Sequence, residues 1–197
     1  MKRVLLFGGT FDPPHVGHLT MAQLALEQTQ ADEVWFLPAP LPPHKLSIPT
    51  YNHRLKMTQA LIEGYAGMKV SVMEEDLPKP SYSVHTVEAC QVRYPTYDFR
   101  FLLGADSLRA LPTWHRASDL ATMLPFVVAH RSTHPLDAAI DEIRRRLPGI
   151  QFEVLEMPLL DVSSTWLRSR LSLSLSVCGL VPERVLELWN RPSSLEP

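Results

Sequence analysis

Arg3-Val4-Leu5-Leu6-Phe7-Gly8-Gly9-Thr10-Phe11-Asp12-Pro13-Pro14-His15-Val16-Gly17-His18 decides how the chain is read. The first five residues form a short, mainly apolar run, long enough for a buried strand and too short for a helix. Glycines end it, and Leu19 to Thr29 then reads as a helix with Met21, Leu24, Ala25 and Gln28 on one face. The order is strand, glycine-rich turn, histidine pair, helix. Without a Cβ, a glycine lets a phosphate approach the backbone closely. The following helix offers free N–H groups and partial positive charge to an anion. His15 and His18, three apart at the helix entry, can both face one phosphate, and Gly17 keeps the space between them open. Pro13-Pro14 forbids helix before His15. Other readings compete: a Gly-Gly pair is by itself only a turn, a lone histidine is commonly structural, and His-x-x-His can be half of a metal site. The metal reading lacks a nearby Cys or Glu-rich cluster to complete a coordination sphere.

Working outward, 197 residues suit one domain, residues 1–197, with a sizeable core. Apolar residues make up 45% and charged residues 20%, ordinary for a globular protein. A net charge of −2 gives no argument for nucleic acid or a membrane as partner. Cys90 and Cys178 lie far apart and form no metal or redox motif; both are expected reduced and buried, in a cytoplasmic protein. Lys2-Arg3 is followed by only four apolar residues, so no secretory leader is expected. No apolar run approaches membrane-spanning length.

Glu33 to Leu37 is a second predicted strand, which makes the first three elements a βαβ unit with parallel pairing. Pro38 to Lys45 is a stiff loop ending in His44 and Lys45. Thr50 is a plausible N-cap for a helix over 51–64, on which Arg54 is expected to be solvated. Residues 68–72 read as a third strand, Glu74-Glu75-Asp76 as a solvated loop, and Ser83 as the cap of a helix over 84–93. A fourth strand, 98–103, passes through Gly104 into a helix carrying Asp106, which on its own reads as a cap. Trp114 in a Pro-containing loop is less easily explained as core and can stack on a flat ring; Trp35, Trp166 and Trp189 are taken as structural. Residues 126–129 form a fifth strand, followed by His130 and Arg131. A helix over 136–147 has a basic end that complements its dipole, and 152–155 is a sixth strand. Asp161-Val162-Ser163-Ser164-Thr165-Trp166-Leu167-Arg168 opens another helix: hydroxyls, backbone N–H groups and a guanidinium converge there, chemistry for a polyphosphate, although Ser-Ser-Thr alone is an ordinary N-cap. A closing helix is expected at about 182–190, with a frayed tail at 193–197. The fold expected is α/β, a single Rossmann-like domain with a mainly parallel sheet and helices on both faces.

The Gly-Gly-Thr-Phe-Asp-Pro string with His-x-Gly-His resembles the nucleotidyltransferase superfamily that carries this signature, and within it the bacterial nicotinate-mononucleotide adenylyltransferases. The likeness runs from Lys2 to about Trp189; Pro40, where relatives often have Asn, Val162, where they usually have Ile, and a missing terminal Tyr depart from it. It implies adenylyl transfer from ATP to nicotinate mononucleotide, with Mg²⁺ carried mainly by the phosphates and no protein metal ligand. His15, His18 and Lys45 are implied as catalytic. Gly8, Gly9, Thr10, Phe11, His15, His18, Gly104, Asp106, Ser164, Thr165 and Arg168 are implied for ATP. His44, Lys45, Thr86, Trp114, His115 and Arg131 are implied for the mononucleotide. Nicotinamide mononucleotide, another phosphorylated acceptor such as phosphopantetheine, or a non-catalytic nucleotide-binding module remain as alternatives, and monomer or homo-oligomer is left open.

Overall fold

The computed structural model describes residues 1–43, 48–131 and 137–191, the side chains of 131 and 137–139 apart. The strands β1 (Lys2–Gly9), β2 (Glu33–Pro38), β3 (Met68–Val70), β4 (Tyr97–Gly104), β5 (Phe126–Arg131) and β6 (Phe152–Met157) form one sheet in the order β3-β2-β1-β4-β5-β6. All five pairings are parallel. Strands covered on both faces read as continuous apolar runs rather than alternating ones, and Val4 to Phe7 and the whole of β2 are buried.

Alternation along each strand divides the core in two. Val4, Leu6, Trp35, Phe101 and Leu103 pack with α3 (Ser83–Arg93), α4 (Ala105–Ala110), α5 (Ala117–Met123) and α6 (Asp137–Arg146). Leu5, Phe7, Val34, Phe36 and Leu102 pack with α1 (Val16–Thr29), α2 (Tyr51–Ile62), α7 (Ser164–Ser172) and α8 (Glu183–Trp189). The expected α/β architecture, with helices on both faces, is therefore present. The chain runs outward from β1 through β2 to β3, then returns to the other side of β1 for β4. That reversal is the topological switch point, and its crevice lies outside the carboxyl ends of β1 and β4, where ligands of open parallel sheets bind.

Several expectations need correction. Helix α1 starts at Val16, so His18 lies within its first turn. Helix α5 was not foreseen. Tyr82, not Ser83, occupies the N-cap of α3, and Ser83 is its first residue. Residues 73–76 form a 3-10 turn rather than a solvated loop, and Glu74 on it is buried. Arg54 is fully buried at 0% exposure. Cys90 is buried as expected, but Cys178 is exposed. Trp35 and Trp189 belong to the packed interior, whereas Trp166 is exposed beneath the Arg170 guanidinium. Thr50 does cap α2, accepting from the His53 N–H. Helix α8 falls within the expected 182–190; residues 192–197, with the expected frayed tail, lie outside the described residues.

At the amino end of the sheet, Glu33 is ion-paired with Lys2 at 2.8 Å and with Lys69, and accepts from Trp35 Nε1 at 2.7 Å. Burial alone would raise its carboxyl; the hydrogen bonds from Lys2, Lys69 and Trp35 outweigh it and hold the group at about 2. Among the described residues no helix is long and apolar enough to cross a membrane.

Candidate active site

The turn after β1 is built tightly. A Cβ on Gly9 would lie 2.9 Å from the Phe11 ring, so the ring occupies the space that only glycine leaves. Phe11 adopts a left-handed φ of 53° and is buried, and Asp12 follows it at 3% exposure. His15 is the N-cap of α1: its Nδ1 accepts from the Gly17 N–H at 3.2 Å, while its own N–H donates to His18 Nδ1 at 3.2 Å. Because each Nδ1 accepts, the ring proton of each neutral imidazole sits on Nε2. The ring centroids are 3.8 Å apart. A Cβ on Gly17 would stand 3.0 Å from the His15 ring, which is why glycine separates the two.

The second motif docks onto this turn from about 150 residues away in sequence. Ser164 Oγ donates to the Pro13 carbonyl at 2.9 Å. Arg168 Nη1 donates to the Asp12 carbonyl at 2.7 Å and lies 3.6 Å from Asp12 Oδ2. Arg168 Nη2 donates to Thr165 Oγ1 at 3.3 Å. Ser163 caps α7 by accepting from the Trp166 N–H, so the cap reading is right for Ser163 while Ser164 joins the two motifs.

Arg54, expected to be solvated, is buried instead. Its guanidinium donates to the carbonyls of Pro49 at 3.1 Å, Thr10 at 2.9 Å, Ala39 at 2.8 Å and Pro40 at 3.2 Å. It therefore ties the turn after β1 to the loop after β2, and Pro40 takes part through its backbone. A signal was available: Met57, Thr58, Leu61 and Ile62 stand three, four, seven and eight residues on, which puts Arg54 on the buried face of α2.

Between these loops lies a cleft of about 510 Å³. Gly8, Gly9 and Thr10 line one part, and Ser81, Tyr82, Ser83, Trp114 and His115 line another, with Glu74 in its wall. Trp114 meets Phe101 edge-on, with centroids 5.9 Å apart, and the His115 ring stacks on Tyr82 at 4.3 Å. His85 meets both of those rings edge-on. Leu41 N–H donates to Ser81 Oγ and Ser81 N–H to the Leu41 carbonyl, which fastens the loop after β2 to the start of α3.

Of the expected residues, Gly8, Gly9, Thr10, Trp114 and His115 line this cleft, while Phe11, His15, His18, Gly104, Ser164 and Arg168 are not among its lining residues. Thr86 is 1% exposed and its hydroxyl donates to Glu74 Oε1 at 2.8 Å. Because α3 begins at Ser83, Thr86 falls one turn in, on the inner face, and Ser83 supplies the hydroxyl at the cleft. The Asp106 side chain is 99% exposed and paired with Arg109; Gly104, not Asp106, is the N-cap of α4. Thr165 is exposed beside Arg168. Arg131 ends β5, its side chain outside the described residues, where His44 and Lys45 also fall. Glu74 and Ser83 were missed. The acidic run gave no hint that one of its members turns inward.

Two imidazoles and a guanidinium thus meet at a glycine-containing turn beside the switch point of a parallel sheet, the construction of a protein that binds a phosphorylated nucleotide. Residues 6–170 match the cytidylyltransferase-like family model. The "Probable nicotinate-nucleotide adenylyltransferase" of Exiguobacterium sibiricum is 42% identical over 193 residues, covering 95% of this chain and 97% of its own. The nicotinate-nucleotide adenylyltransferase of Bacillus subtilis is 33% identical over 193 residues, with 94% of each covered. In fold, Plasmodium falciparum nicotinic acid mononucleotide adenylyltransferase, solved with NaAD, superposes at a TM-score of 0.80 with 17% identity, over 95% of this chain and 94% of that one. The chain belongs to the nicotinate-nucleotide adenylyltransferase family of nucleotidyltransferases.

Proposed function

We propose that the protein joins ATP and nicotinate mononucleotide to give nicotinate adenine dinucleotide and pyrophosphate, a step of NAD biosynthesis. The observation that carries this reading is the docking of Ser164 and Arg168 onto the turn that holds His15 and His18. That contact supports the reading because it brings the guanidinium of the second motif beside the turn that carries the two imidazoles. The mononucleotide 5′-phosphate attacks the ATP α-phosphorus in line, the bond to the bridging oxygen breaks, and pyrophosphate leaves. The nucleophile is already ionised, so no protein base and no covalent intermediate is needed; positioning and charge stabilisation do the catalysis.

In this reading His15 and His18 donate to the ATP phosphates, with His18 the principal catalytic residue. Gly8, Gly9, Thr10 and Phe11 shape the turn against which the phosphates lie. Ser164, Thr165 and Arg168 hold the β and γ phosphates and the departing pyrophosphate. Lys45, with His44, meets the mononucleotide phosphate. Trp114 stacks on the pyridinium, and its carboxylate lies toward the start of α3 and His115, where the helix dipole favours negative charge. The donors in the turn are N–H and guanidinium groups, and its carboxylate, Asp12, faces Arg168. That set suits anions, so Mg²⁺ enters with the phosphates, whose charge it neutralises, and no protein ligand is assigned. A cytoplasmic setting accompanies the reading, with both cysteines as free thiols.

The test is pyrophosphate release with ATP and Mg²⁺, comparing nicotinate mononucleotide, nicotinamide mononucleotide and phosphopantetheine. Preference for the acid is the expected result. Preference for the amide would overturn the ring pocket, and ATP binding without release would indicate a non-catalytic nucleotide-binding module.

A further inference from the structure

Glu74 lines the cleft, and the reaction above does not use it. It sits on the 3-10 turn between β3 and α3, is 7% exposed, and forms part of the wall at the end shared by Ser81, Tyr82, Ser83, Trp114 and His115. Its Oε1 accepts from Thr86, and its buried Oε2 has no hydrogen-bond partner among the described residues. An ionised carboxylate in this position would carry a buried, unsatisfied oxygen, which costs far more than the neutral acid does.

We propose that Glu74 is a specificity-determining residue of the cleft: as a neutral acid in the wall it allows an anionic ring substituent to bind beside it, and as a carboxylate it would repel that group and favour an uncharged amide. The inference rests on the mononucleotide reading above and extends it. The effect acts through charge, with no contact to the ligand required. Burial is the largest influence on the Glu74 carboxyl and raises it; the hydrogen bond from Thr86, the nearby Ser81 hydroxyl and the charge of Lys79 pull the other way. The titratable groups facing it are Lys79 from the following loop, Cys90 on α3 and Tyr51 on α2. Burial also raises Cys90, to about 12, and Tyr51 further. These two groups therefore stay neutral at neutral pH.

The experiment is the ratio of kcat/KM for nicotinate mononucleotide over nicotinamide mononucleotide, followed from about pH 6 to about pH 9.5 in the wild type, Glu74→Gln and Thr86→Val. Both acceptors carry the same phosphate, so its ionisation cancels in the ratio. Where Glu74 ionises within this range, the wild-type ratio falls about tenfold or more, because like charges are then juxtaposed. Glu74→Gln should lack that fall. Thr86→Val removes a hydrogen bond that favours the ionised form, so the fall should move to higher pH. Wild-type and Glu74→Gln ratios that coincide at every pH overturn the proposal. If Glu74→Gln does not fold, an unshifted Thr86→Val curve does so. Loss of activity to the same extent with both acceptors at all pH values would make Glu74 merely structural. No turnover of either acceptor by the wild type would refute the proposed reaction itself, a result distinct from all of these.

Discussion

Replacing Arg54 by Met keeps most of the side chain's apolar volume and removes its guanidinium. Four carbonyls, those of Thr10, Ala39, Pro40 and Pro49, then lose a charged donor. A buried acceptor left unsatisfied costs about 1–3 kcal/mol. All four parent residues are half-buried, so water recovers part of that, and about 1 kcal/mol each is the appropriate figure. Burial also disfavours the Arg54 charge and lowers its pKa, and removing the cation returns some of that cost. The net expectation is a loss of about 2–4 kcal/mol, a large part of the total stability of a typical domain. Urea unfolding followed by circular dichroism measures it, with the midpoint falling and the slope unchanged. Because the same carbonyls fix the turn after β1 against the loop after β2, kcat/KM should fall as well, even where the variant is fully folded. A stability loss below about 0.5 kcal/mol with normal kcat/KM would refute the view that Arg54 fastens these loops.

Three further outcomes are expected. His18→Ala should lower kcat by about 100- to 1000-fold, the scale for one electrostatic donor, with little change in melting temperature; near-normal turnover would remove His18 from the catalytic role. Trp114→Ala should raise KM for the mononucleotide while kcat and KM for ATP change little, and an unchanged mononucleotide KM would make Trp114 structural. Glu33 is held at about 2, below its ordinary value of 4.5, so its contribution to stability is complete above about 4.5 and is lost as the pH falls toward about 2. In Glu33→Gln this part of the acid-unfolding profile should flatten, and a profile identical to the wild type would refute the coupling with Lys2 and Lys69.

The parallel sheet was legible because Val4 to Phe7, Glu33 to Leu37 and their successors carry the continuous apolar pattern of strands buried on both faces. The turn after β1 was legible because glycines, prolines and paired histidines each constrain the backbone in a known way. What the sequence hid are residues whose partners are backbone carbonyls or lie far along the chain. Arg54 carries a charge, and a charge on a helix suggests solvent; only its helical phase relative to Met57 and Leu61 indicated otherwise. Glu74 stood beside Glu75 and Asp76, both exposed, and nothing local distinguishes the member that turns inward toward Thr86. Thr86 itself was displaced by the start of α3, since a helix beginning at Ser83 turns Thr86 away from the cleft. Asp106 carried the expected pattern of a strand leading into a helix, yet its side chain points outward to Arg109.

The account's central claim is direct transfer of the adenylyl group to the mononucleotide phosphate. Nicotinate mononucleotide labelled with oxygen-18 in its phosphate, incubated with ATP and Mg²⁺ and analysed by mass spectrometry, tests it most directly. The account predicts that the label appears in nicotinate adenine dinucleotide and that the pyrophosphate is unlabelled, released in equal amount and only when the acceptor is present. Label in the pyrophosphate, pyrophosphate release before the acceptor is added, or no dinucleotide at all would contradict it.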